Sequence, residues 1–180
     1  MAEYMIFPER AKVHKVPPSV SPKYAAFVEP LACSIHGVEL GQIQFNDVVV
    51  ISGCGPVGLG MIAAARLKSP KCLIALDLFE WKLEVAKKCG ADVVLNPSQC
   101  NVKEEIEKLT EGYGCDVYVE ASGNGASVQQ GLDIITRQGR FVCFSVFKVK
   151  LSSFRAKRKK RAERCKICFY CLLFTIVEAT

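Results

Sequence analysis

From residue 47 onward, short β-branched apolar runs alternate with longer segments whose apolar positions recur every three or four residues. Residues 47–52, DVVVIS, centre on a continuous β-branched run of the kind expected for a strand covered on both faces, and 56–68 follow with helical periodicity. The pair repeats as strand 72–77 with helix 80–90, strand 92–96 with helix 101–112, and strand 115–120 with helix 125–138, before a closing strand at 140–146. Five strands joined by four helices predict consecutive right-handed βαβ units in an α/β, doubly wound parallel sheet.

The flanks read differently. Residues 1–20 alternate short apolar pieces with Pro8, Pro17 and Pro18 and predict one or two edge strands. Residues 21–42 predict a helix opened by Ser21-Pro22, with Ala25, Val28, Leu31, Ile35 and Val38 on its apolar face. Pro30 is expected to break or kink it.

Composition changes the picture in one respect. Half the residues of this 180-residue chain are hydrophobic, which excludes disorder and fits one domain with a real core. The formal charge of +6, however, is unevenly placed: residues 148–180 hold 10 basic and 2 acidic residues, leaving 14 basic and 16 acidic elsewhere. A mildly acidic body argues against a nucleic-acid partner, and the basic run 157–161 lacks interleaved aromatic residues. A solvated, disordered tail is expected for 148–180.

The N-terminus has neither a basic n-region nor an apolar h-region, so the expected location is cytoplasmic. The apolar run 167–177 is too short for a transmembrane segment, which needs about 20 residues. Of the ten cysteines, Cys33, Cys54, Cys72, Cys89, Cys115 and Cys143 sit in or beside apolar segments and read as buried thiols rather than a disulfide framework. Cys165, Cys168 and Cys171 lack a fourth ligand for a closed zinc site.

The candidate chemistry lies where the first strand meets its helix. Gly53-Cys54-Gly55-Pro56-Val57-Gly58 has GxGxxG spacing: the first glycine permits a tight turn, the second lets a pyrophosphate reach the backbone, and the third lets helix and strand pack closely. The second strand ends on Asp77, near the spacing expected of an acid that accepts from ribose hydroxyls. A carboxylate there repels a 2′-phosphate, favouring NAD over NADP. Lys82, five residues after Asp77, reads either as reaching the same ribose or as a solvated helix residue. A methyltransferase-type nucleotide fold is the rival, although its glycines usually fall as GxGxG and position 57 is Val.

Together with these elements, EPLACSIHGVELG at 29–41, VVISGCGPVGLG at 49–60, YVEASG at 118–123 and GRFVCFS at 139–145 resemble the zinc-dependent medium-chain alcohol and polyol dehydrogenases, particularly the sorbitol, threitol and threonine dehydrogenase branch. The resemblance implies a Rossmann-type fold and NAD-dependent hydride transfer to or from a secondary alcohol or polyol. It places Gly53, Gly55, Val57 and Gly58 against the pyrophosphate, Asp77 and Lys82 at the adenosine ribose, Ala121 and Ser122 beside the cofactor, and Phe144, Ser145 and Val146 at the nicotinamide end. It makes Glu29 a candidate zinc-site glutamate, water-mediated or an alternate ligand.

The departures from the family shape the remaining expectations. Its N-terminal catalytic domain, with a Cys and a His-Glu pair as zinc ligands, has no counterpart here: His14 and His36 are the only histidines, and neither precedes Glu. Residues 1–42 then read as a remnant of that domain with its connecting helix, 43–147 as the NAD-binding domain, and 148–180 as an unrelated tail. The expectation is a fragment that keeps the NAD fold, binds no zinc by itself, loses the family's subunit contacts and is inactive alone. A non-catalytic nucleotide-binding module, attached by its basic tail to a membrane surface or a partner, is the alternative.

Overall fold

The computed structural model describes residues 6–145, together with a strand at Lys166–Phe169. The central run forms as the hydrophobic pattern requires. Strands β1 (Val48–Ser52), β2 (Cys72–Leu76), β3 (Val93–Leu95) and β4 (Cys115–Glu120) alternate with helices α3 (Pro56–Arg66), α4 (Glu80–Lys88), α5 (Val102–Leu109) and α6 (Gly125–Ile134). Helices α1 (Pro22–Ala25) and α2 (Val28–Leu40) precede them, and β5 (Ile135–Cys143) and β6 (Lys166–Phe169) complete a sheet of order β3-β2-β1-β4-β5-β6. All its pairings are parallel.

Because successive strand residues face opposite ways, the sheet divides the core into two layers. Val49, Ile51, Val117 and Val119 face one apolar cluster with Met61, Ile62 and Ala65 of α3. Val48, Val50, Tyr118 and Phe141 face the other, with Ile106 of α5 and Val128 and Leu132 of α6. Small residues let α2 lie close on α3. A Cβ on Gly37 would come within 2.5 Å of Met61 Cε, and one on Gly60 within 2.5 Å of Ser34 Oγ. The buried Ser34 hydroxyl lies 2.7 Å from the Pro30 carbonyl and 2.9 Å from that of Val57, tying α2 to the start of α3.

Four expectations are corrected. No strand forms in residues 6–20; Ala11 N–H donates to Pro8 O and Val20 N–H to Pro17 O, closing turns in a segment where proline removes ladder donors. Pro30 does not break its helix, because it stands in the first turn of α2, where a backbone N–H has no intrahelical acceptor. The fourth crossover helix ends at Ile134 rather than 138, and β5 begins at once: Ile135 pairs with Cys115, and the register then shifts so that Arg140 pairs with Val117. Finally, Lys166–Phe169 pairs in parallel with Arg140–Cys143, so four residues of the tail expected to be disordered form a sixth strand beside β5. The basic run 157–161, Cys165 and Cys171 lie outside the described residues. Among those described, no helix is long and apolar enough to cross a membrane.

Candidate functional site

In this sheet β1 lies between β2 and β4, so the chain leaves it in one direction and returns on its other side. The C-terminal strand ends diverge there, and such a reversal point opens a crevice. A cleft of about 410 Å3 occupies it. Gly53, Gly55, Asp77 and Lys82 line one wall, and Ala121, Ser122, Asn124 and Ser127 the other.

Gly53 has φ +105°, a left-handed conformation that favours glycine, and its N–H donates to Leu76 O at 2.8 Å. A Cβ there would lie 2.8 Å from the carbonyl atoms of Ala121 and the nitrogen of Ser122, so the turn rests directly on the opposite wall. Gly58 approaches as closely from the helix side, where a Cβ would overlap the Gly53 carbonyl oxygen. Gly55, the N-cap of α3, differs: a Cβ there meets nothing within 4 Å, leaving space beside the backbone. Pro56 occupies the first helical position, so the N–H groups of Val57 and Gly58 are those left without intrahelical acceptors. The first turn carries no acidic residue, and its dipole favours an anion.

Asp77 follows β2 and joins two turns. Its Oδ2 accepts from Cys54 N–H at 2.8 Å and its Oδ1 from Phe79 N–H at 3.1 Å. Lys82 Nζ stands 3.8 Å from Oδ2, and the Asp77 side chain is 9% exposed. The same ammonium lies 4.8 Å from the centre of the Phe79 ring and 5.6 Å from that of Trp81. Both aromatic rings therefore help hold Lys82 at the cleft mouth. Beneath the turn, burial and then the nearby Asp77 charge push the Cys54 thiol up to about 12, keeping it protonated and unreactive near neutral pH.

The opposite wall is fixed by polar groups under its backbone. Ala121 N–H donates to Ser52 O at 2.8 Å, and Asn124 caps α6 by accepting from Ala126 N–H at 2.9 Å. Ser127 Oγ lies 2.7 Å from Ser52 Oγ and 3.0 Å from the buried Tyr118 hydroxyl, which also donates to Ser127 O at 2.9 Å. Burial pushes the Tyr118 phenol up, partly offset by its hydrogen bonds to Ser127 and Ser52.

Six of the residues expected at the site line the cleft together: Gly53, Gly55, Asp77, Lys82, Ala121 and Ser122. Gly58 stands behind the turn, and the Val57 side chain packs into the α2–α3 core. Phe144 is buried in that core beside Gly37, while Ser145 Oγ lies 3.4 Å from Glu120 O; neither lines the cleft, and Val146 lies outside the described residues. Glu29 is an exposed first-turn residue of α2 that accepts from Cys33 Sγ at 3.1 Å, away from the cleft lining. Among the described residues, no three His, Cys, Asp or Glu side chains stand close enough to hold a metal ion. Sequence reasoning missed Ser52, Glu120 and Ser127. The signal for the first two was a polar residue at the C-terminal end of an apolar parallel strand, the feature that singled out Asp77.

Residues 56–168 match the family described as zinc-binding dehydrogenase. The match runs past 147, where the resemblance was expected to stop, and reaches β6. An erythritol/L-threitol dehydrogenase of Mycolicibacterium smegmatis is 51% identical over 147 residues, 82% of this chain and 41% of the relative. An L-threonine 3-dehydrogenase of Pyrococcus abyssi is 37% identical over 84% of this chain and 43% of its own length. Among solved structures, an alcohol dehydrogenase from Thermus sp. ATN1 superposes with a TM-score of 0.74 at 28% identity, covering 87% of this chain and 45% of that one. The chain thus spans about two fifths of the length of these curated relatives.

Proposed function

This chain belongs to the zinc-binding dehydrogenase family, and from that premise we propose that the cleft between β1 and β4 binds NAD(H) for hydride transfer to or from a small secondary alcohol or polyol in the cytoplasm. One observation carries the reading: Asp77, oriented by the Cys54 and Phe79 N–H groups, shares a cleft with a glycine turn that opens a helix. Each Asp77 oxygen accepts one of those N–H groups, leaving acceptor capacity for ribose hydroxyls, and its negative charge opposes a 2′-phosphate. The free space at Gly55 and the first-turn N–H groups of α3 suit a pyrophosphate. Gly53, Gly55, Asp77, Lys82, Ala121 and Ser122 would hold the dinucleotide, and Val57 and Gly58 would offer backbone N–H groups. When bound, its nicotinamide accepts or delivers the hydride.

The described residues do not fit a zinc ion. Glu29 has only the Cys33 thiol beside it, and no third donor completes a group. The alcohol or polyol class is supported by relatives named as dehydrogenases of erythritol, L-threitol and L-threonine.

Trp81, the one tryptophan, provides the test because its ring neighbours the cleft-lining Lys82. Titration with NADH is expected to quench Trp81 emission by energy transfer, with saturation at micromolar to millimolar concentration. Hydrogen bonds to charged groups contribute roughly 1.5–3 kcal/mol, so NADPH should bind at least about tenfold more weakly. Equal affinity for NADPH, or a thermal shift with S-adenosylmethionine and none with NADH, would contradict the reading.

A further inference from the structure

Glu120 closes β4 and is fully buried. Its Oε1 accepts three hydrogen bonds from the following turn: Ser122 N–H at 2.8 Å, the Ser122 hydroxyl at 2.5 Å and Gly123 N–H at 3.0 Å. Three donors thus converge on one oxygen of this side chain. Its Oε2 is also buried and has no hydrogen-bond partner among the described residues. Such a group is destabilising, and in a native structure it has a specific reason. The turn it holds supplies that reason. Ala121 and Ser122 form the surface on which Gly53 rests, so the turn's position sets the width of the cleft.

We infer that Glu120 is a positioning residue of the nucleotide cleft, fixing the β4–α6 wall from beneath as Asp77 fixes the β1 and β2 turns from the other side. It is not itself among the cleft-lining residues and acts through the backbone of Ser122 and Gly123. The inference rests on the NAD(H) reading for its functional consequence, but the holding of the wall has a readout that needs no ligand. Glu120→Gln preserves size and one acceptor oxygen while replacing the other oxygen with an amide donor.

In the full chain, the Ser122 and Gly123 amides of Glu120→Gln are expected to exchange with solvent at least about tenfold faster. NADH affinity, measured well below the unfolding temperature, is expected to fall by at least about tenfold. A purely structural residue would lower the unfolding temperature and leave both amide protection and low-temperature affinity unchanged, which would overturn the inference. If Glu120→Gln does not fold, Ser122→Ala removes one of the three donors, together with the hydroxyl that accepts from Asn124 N–H at 3.2 Å. It should speed Gly123 exchange and weaken NADH several-fold, and unchanged values would again overturn the inference. Absence of NADH binding by the unmodified chain would contradict the NAD(H) reading. The positioning of the wall would then be supported by faster Ser122 and Gly123 exchange in Glu120→Gln and refuted by unchanged exchange.

Discussion

Asp77 draws together backbone from two turns, and this sets the consequence of changing it. A carboxamide offers one acceptor oxygen where Cys54 and Phe79 N–H now use two. Losing one charged hydrogen bond corresponds to roughly 1.5–3 kcal/mol, and for a chain of this size 1 kcal/mol moves the thermal midpoint by about 2–4 °C. Asp77→Asn should therefore lower the midpoint by several degrees, weaken NADH and narrow the preference over NADPH. An unchanged midpoint in scanning calorimetry would show that these contacts contribute nothing. Cys54 makes a separate prediction with a definite sign. Its folded pKa is raised from 9.0 to about 12, chiefly by burial and next by Asp77. The folded chain therefore keeps a proton that the unfolded chain releases, so this contribution to stability is fully present below pH 9 and lost as pH rises towards 12. The urea midpoint should fall across that window and less steeply in Cys54→Ala, with Tyr118 supplying part of the remaining slope. An equal slope in the variant would contradict the assignment.

At the scale of elements, the start of α3 separates two kinds of glycine. A Cβ at Gly58 would overlap the Gly53 carbonyl oxygen, so Gly58→Ala must shift the helix from the turn, lowering both stability and NADH affinity. At Gly55 a Cβ meets no protein atom within 4 Å; Gly55→Ala should leave the thermal midpoint nearly unchanged while weakening NADH through the space it takes. Parallel titrations and melts distinguish the two, and a large loss of stability in Gly55→Ala would refute the account. The strand-turn-helix here was legible in the sequence because an unbroken β-branched run, three spaced glycines and a periodic helix all agree. Elsewhere one sequence feature allowed two structures. Pro30 is a breaker within a helix and acceptable in its first turn, so its effect depended on α2 starting at Val28. The β-branched stretch at Ile134 and Ile135 fits helix or strand until Ile135 pairs with Cys115. β6 depends on pairing with β5, which neighbouring residues do not encode. Glu120 closes an apolar strand as a polar residue, a signal the sequence does carry, but its hold on the Ser122 and Gly123 turn emerges only in the fold.

Across the whole molecule, the apolar surface is uneven. α2 buries Ser34, Gly37 and Val38 towards the core but exposes Leu31 and Ile35, near the exposed Tyr24 and Phe27 in sequence. Such a stripe favours self-association. Combined Leu31→Ser and Ile35→Ser should raise solubility without changing NADH affinity, read by light scattering and titration; unchanged scattering would show that the stripe is not the cause. The cleft occupies the C-terminal ends of the central strands, with Asp77 and Glu120 holding backbone on its two sides. In the proposed function this crevice receives a dinucleotide with its pyrophosphate at the α3 N-terminus. The most direct measurement is an amide-resolved NMR titration of the chain with NADH. The largest shifts are expected at Gly55, Val57 and Gly58, with Ser122 and Gly123 following; saturable binding that leaves these amides unmoved would overturn that placement.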